Sequence, residues 1–219
     1  MPLDFSSHRP KEQRLARWSG LIDAGVAFAL ALATALSAWC AYQSNLWSGD
    51  MINHYSAAGQ TRAKASLLSV QAQQIQASDV GVFVHYAAAI SEGNHDLATF
   101  LYHRFRPEMR HAVDAWNATK PLVNPNAPAT PFGMPAYSIA QSKESARLNA
   151  LADQQVQEAQ RANRISDRFV LLTVFFAMVL FFAGIAPRFA SVFGHLAFNA
   201  LALGVLVIAT ISMLLLPRA

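Results

Sequence analysis

The stretch RFVLLTVFFAMVLFFAGIAPR, Arg168 to Arg188, decides the fold. Two arginines bracket it, and between them, from Phe169 to Pro187, no side chain ionises. Within it Phe169 to Ala186 gives 18 residues without a charge, and two comparable runs stand elsewhere. Ala24 to Ala41 is 18 residues long without a charge, and Leu196 to Leu216 is 21 long, interrupted by Asn199 and a few hydroxyls. At a rise of about 1.5 Å per residue, each helix would extend on the order of 27–32 Å, enough for a hydrocarbon core of about 30 Å. Core helices of a water-soluble protein are the alternative, and three such runs in 219 residues weigh against it. The expectation is an all-α membrane protein with transmembrane helices at 21–43, 169–186 and 193–216.

Composition agrees with that division. Charged residues are 14% and hydrophobic ones 53%, and the charge deficit falls in the three runs. A net charge of +4 invites a nucleic-acid reading. The basic residues are scattered apart from an N-terminal cluster, so no nucleic-acid partner is expected. A single cysteine, Cys40, excludes an internal disulfide framework and a multi-cysteine metal site.

The first run has features of a signal peptide, with basic residues before it and Ala33-Thr34-Ala35 in small-x-small form. It is long for a signal core, and Trp39 before Cys40 defeats a lipoprotein reading, so an uncleaved anchor is expected. Lys/Arg counts orient the chain. Arg9, Lys11, Arg14 and Arg17, in the basic juxtamembrane segment 1–20, precede the first run, and the next basic residue is Arg62. That predicts a cytoplasmic N-terminus touching anionic headgroups, with residues 44–168 across the membrane. Arg161, Arg164 and Arg168 oppose this assignment, although long translocated regions largely escape the rule. Trp39, Tyr42 and Trp47 fall where the first helix would leave the hydrocarbon, and they read as interface anchors.

The segment between the first two runs is expected to be a helical hairpin or small bundle. Residues 50–93 lack proline and are rich in Ala and Gln, with Ser48-Gly49-Asp50 as a turn or start signal. Asn94 or Asp96 would cap a short helix through Phe105, and Pro107 suits the first turn of another reaching Lys120. Five prolines between 121 and 137 then forbid a helix, while Leu122, Val123, Phe132 and Met134 favour packing of that loop. From Ser138 one helix runs through Arg168 into the second apolar run.

Candidate chemistry is sparse. Glu108-Met109-Arg110-His111 has the Glu-x-x-His form of di-iron bundles, which makes His103, Glu108 and His111 the metal candidates. Only one such motif is present, and Arg104, Arg106 and Arg110 would repel a cation, so neither metal nor other cofactor is expected. The arginines are expected to form a solvated face paired with Glu108 and Asp114. No ionisable group lies deep in any run, which disfavours a pump or coupled transporter. In the first run Gly25, Ala29, Ala33, Ser37 and Ala41 recur every four residues. Such a strip lets helices approach closely, with Ala200 and Gly204 of the third run, or another copy of the chain, as partner. The phenylalanines of the second run, at 169, 175, 176, 181 and 182, read as lipid-facing.

AYQSNLWSG at 41–49, FRPEMRHAVDAW at 105–116 and QRANRISDRFVLLTVFFAMVLFFAGIAPR at 160–188 together resemble a group of hypothetical bacterial inner-membrane proteins of unassigned function. The resemblance implies three spans and a bacterial origin, and it carries over no catalytic or binding residue. The expected role is non-enzymatic: a scaffold, accessory subunit or sensor-like module acting through helix association, as a homo-oligomer or within a membrane complex. An oligomeric pore and a metal-binding module are the alternatives.

Overall fold

A computed structural model describes the backbone of residues 9–121, 123–188 and 191–219, and the side chains within them from Ala24 onward except Val192. The elements are helical: α1 Arg9–Ser91, α2 His95–His103, α3 Pro107–Ala118, α4 Ala140–Ile185 and α5 Val192–Leu214, with 3-10 turns at Pro131–Gly133 and Ala186–Arg188. Three of them, α1, α4 and α5, are long and apolar enough to cross a membrane. The basic side chains Arg9, Lys11, Arg14 and Arg17 and the loop residue Leu122 lie outside the described side chains.

α1 runs unbroken for 83 residues, which corrects the break expected at Ser48-Gly49-Asp50. Gly49 costs a helix interior only about 1 kcal/mol, and its neighbours make up for it. Trp47 packs on an apolar core, and the Ser48 hydroxyl bonds to that of Ser166 at 2.9 Å. The region expected as a separate hairpin therefore begins on α1 itself and ends on α4. α1 stops at Gly93, whose φ of 72° supplies the left-handed residue that closes a helix. Gly93 N–H donates to the Ile90 carbonyl and Asn94 N–H to that of Ala89. Asn94 then starts α2, its side chain accepting from Leu97 N–H at 3.1 Å.

The chain packs as two compact units. The first comprises the described residues of Met1–His54 together with Gln157–Ala219. On α1 its buried face steps by four and three: Ala33, Ser37, Cys40, Ser44, Trp47, Met51, His54. α4 answers with the same period at Ala159, Ala162, Ser166, Phe169, Thr173 and Phe176. This is a heptad seam, and its small members permit close approach. A hydroxyl cluster marks one level of it: Ser44 and Ser166 share a 2.9 Å hydrogen bond, and Ser166 also donates to the Ser44 carbonyl at 3.0 Å.

α4 carries a second buried stripe, Ile165, Leu172 and Val179, within one core cluster that includes Ala202, Leu206 and Ala209 of α5. A third of the most apolar window of α4 is buried (33%), against 17% in α5 and 11% in α1. α4 is thus the middle helix. That overturns the lipid-facing reading of its phenylalanines: Phe169 and Phe176 are 1% and 0% exposed, Phe175 and Phe182 are half-buried, and only Phe181, at 61%, faces outward. The outer faces carry Phe28, Leu171, Val174, Phe193, Leu196, Leu203 and Ile208 in the open. So many exposed large apolar side chains suit hydrocarbon rather than water.

In the second unit, Tyr55–Val156, the seam turns to alanine. Ala58, Ala65 and Ala72 are buried on α1, and Ser145 and Ala152 on α4. The Ser145 hydroxyl donates to the Ala65 carbonyl at 2.8 Å, locking the register. Arg62 and Asp153 pair across the rim at 2.8 Å, an exposed contact of small energetic weight.

Candidate functional site

The second unit thickens where α2, α3 and the proline-rich loop cover the last four turns of α1. Pro107 occupies the first turn of α3, where its missing N–H costs nothing. The face of α3 three and four residues apart, Met109, Ala112 and Val113, is fully buried with Phe83 of α1 and Phe105. Around them the rings meet edge to face. Phe83 stands 5.6 Å from Trp116 and 5.6 Å from Phe132, Tyr86 stands 5.4 Å from Phe105, and Phe132 stands 5.2 Å from Tyr137. Such pairs each contribute about 0.5–1.5 kcal/mol beyond area burial.

One polar knot holds this aromatic layer. Asp79, 5% exposed on α1, accepts from Arg106 Nε at 3.2 Å to both carboxylate oxygens and from a terminal nitrogen at 2.8 Å. The Tyr137 hydroxyl donates to the same carboxylate at 3.0 Å, and Arg106 reaches Glu108 at 2.9 Å. Burial first, then the bond to Asp79, pushes the Tyr137 phenol up to about 12. The hydrogen bonds to Asp79 likewise hold Arg106 above its ordinary value.

Between α1 and the end of α3 the aromatic layer leaves a cavity of about 510 Å³, within the roughly 300–1,000 Å³ of small-molecule sites. Phe83, Tyr86, Ala87, Ile90, Trp116, Pro121 and Val123 give it an apolar wall. Two polar groups there are satisfied within the protein: the Trp116 indole N–H donates to the Pro128 carbonyl at 2.6 Å, and the Ser91 hydroxyl to the Ala88 carbonyl at 2.8 Å. Asn117 and Lys120 complete the lining.

Lys120 has a φ of 53°, the left-handed value that glycine usually supplies after a helix. Pro121 disfavours the right-handed region for the residue before it. Having no N–H, Pro121 cannot cap the Trp116 carbonyl, and Thr119 does so through its N–H at 3.0 Å and its hydroxyl at 2.6 Å. Lys120 N–H takes the Asn117 carbonyl at 3.0 Å. The backbone thereby closes α3, and the Lys120 ammonium makes no ion pair among the described residues.

The residues singled out from sequence fall elsewhere. His103 and His111 are exposed, and Glu108 is taken by Arg106. Among the described residues no group of three or more His, Cys, Asp or Glu stands where it could hold a metal ion. The expected arginine face forms in part, with Arg106 paired to Glu108 at 2.9 Å and Arg104 exposed, but Asp114 is not its partner. Arg106 turns to Asp79, Arg104 lies 4.2 Å over the Phe100 ring, Arg110 bonds the His103 and Phe105 carbonyls, and Asp114 accepts from Tyr102. Of the four-residue strip, Ala33 is buried and Ala29 and Ser37 are half-buried, whereas Gly25 and Ala41 are exposed, as are Ala200 and Gly204. Within the chain α5 uses Ala202, Leu206 and Ala209 instead. Trp39 and Tyr42 are exposed with ring centroids 5.9 Å apart, while Trp47 turns inward.

The sequence reading missed the cavity altogether. Its walls come from α1 and α3, some thirty positions apart, and the only local signal is a lysine standing between a helix end and a proline. No protein-family model matches the chain, and no curated protein or solved structure matches it either.

Proposed function

We propose that this is a non-enzymatic protein of the bacterial inner membrane, an accessory or sensor-like module that receives a small molecule with an apolar body. The observation that carries the reading is the cavity itself, an aromatic-walled space on the same α1 that contributes Ala33 and Cys40 to the apolar core. In this reading α1, α4 and α5 cross the membrane, and Arg9, Lys11, Arg14 and Arg17 hold the N-terminus at cytoplasmic headgroups. Residues 44–168 form the periplasmic part, with the compact unit Tyr55–Val156 in support. The exposed Gly25, Ala41, Ala200 and Gly204 are available for helix association with a second copy or a partner subunit.

Purified protein examined by native mass spectrometry and in planar bilayers tests this. The expected result is electrically silent protein, alone or with co-purifying chains. Conductance from the purified protein would replace it with a pore.

A further inference from the structure

Resting on that proposed role, we propose that the cavity between α1 and α3 binds a free monocarboxylate with an apolar chain or ring body. Three observations converge on this class. The walls are largely apolar: the Trp116 indole N–H and the Ser91 hydroxyl are bonded back to carbonyls of the protein, which leaves the Tyr86 hydroxyl as the further polar group on the aromatic side. A molecule seated there gains from leaving water and forfeits little by losing polar contacts. Among the described residues the lining contains one charged side chain, Lys120, and no carboxylate. A cationic head would be repelled there, and an anionic one would meet an unpaired ammonium.

That ammonium is also not consumed by α3. The Trp116 and Asn117 carbonyls at the helix end, which would otherwise draw a cation, already accept from Thr119 and from the Lys120 backbone N–H. Lys120, at its left-handed turn, and Asn117 both line the cavity at the end of α3. A carboxylate between these two donors would hold the head, and the rings of Phe83, Tyr86 and Trp116 would take the body. A single chain suits the volume, whereas a two-chain membrane lipid exceeds it.

Full-length protein in lipid nanodiscs, titrated calorimetrically with decanoate and corrected with empty nanodiscs, tests the proposal. Decanoate should bind saturably at one site, and octanoate about fifteenfold more weakly, since each methylene is worth about fourfold. Lys120→Gln should weaken decanoate about tenfold, Lys120→Arg should keep most of the affinity, and Ala87→Trp, which fills the cavity from an exposed helix position, should abolish it. Decyltrimethylammonium binding as tightly as decanoate would overturn the proposal. So would decanoate binding indifferent to Lys120→Gln or Ala87→Trp, and so would its absence in the wild-type protein. A silent, membrane-spanning protein that ignores decanoate would sink this inference alone, while conductance would sink the accessory reading whatever decanoate does.

Discussion

The Arg106 guanidinium and the Asp79 carboxylate meet at 2.8 Å across 27 positions of sequence. The contact joins the C-terminal part of α1 to the residue that opens α3, and Tyr137 ties the end of the proline-rich loop to the same oxygen. Removing one partner of a buried pair strands the other's charge, at a cost of about 3–5 kcal/mol. Here Arg106 keeps 31% side-chain exposure, so Asp79→Ala should cost nearer to about 3 kcal/mol. Arg106→Ala with Asp79→Ala should destabilise by clearly less than the sum of the two single changes. Unfolding of the four proteins in detergent, followed by circular dichroism, reads this, and strict additivity would show that the pair is not a unit.

Tyr137 gives the same knot a pH signature. Its phenol is pushed from 10.0 to about 12 in the fold. A folded value above the free one means the contribution is complete below about pH 10 and is lost as pH rises through about 12. The Tyr102 phenol, bonded to Asp114, is also held above its ordinary value, so absorbance titration at alkaline pH should show a late-ionising component that loses one phenol in Tyr137→Phe, and thermal stability should fall over that interval in the wild type. A Tyr137→Phe protein with an unchanged titration curve would contradict this.

The alanine seam predicts an inverted size rule. Ala152 is fully buried on α4, whereas its neighbour Leu151 is 37% exposed. Enlarging Ala152 to Leu forces the helices apart and should cost about 1–3 kcal/mol. Trimming Leu151 to Ala should change stability by less than about 0.5 kcal/mol. Melting temperatures of the two variants decide it.

Phe176 and Phe181 should separate in the same way within the apolar unit. Phe176→Ala opens a cavity in the middle helix and should cost about 3 kcal/mol. Phe181→Ala exchanges one outward apolar surface for another and should be nearly silent. Detergent-resistance assays on both proteins would test the order.

The apolar runs and two helix starts were legible because each is written in contiguous residues: Phe169–Pro187 by its lack of charge, Asn94 and Pro107 by their positions before or in a first turn. The seam was not. Its positions hold Ser44, His54, Ser145 and Ser166 beside the alanines, so a search for apolar periodicity sees a thin stripe and the four-residue strip of small residues instead. Asp79 was invisible as the partner of Arg106 because only the fold back from α1 to α3 brings them together. The cavity escaped for the same reason, as Tyr86 and Lys120 approach one site only after Gly93 has turned the chain.

The account rests on Phe181 facing hydrocarbon while the proline-rich loop faces water. Native Cys40 is fully buried, so the wild-type protein serves as the blank for labelling of Phe181→Cys and Asn126→Cys with a membrane-impermeant maleimide in intact cells. The predicted result is that position 126 reacts at once and position 181 reacts only after detergent is added. Reaction at position 181 in intact membranes would place that surface in water and contradict the account.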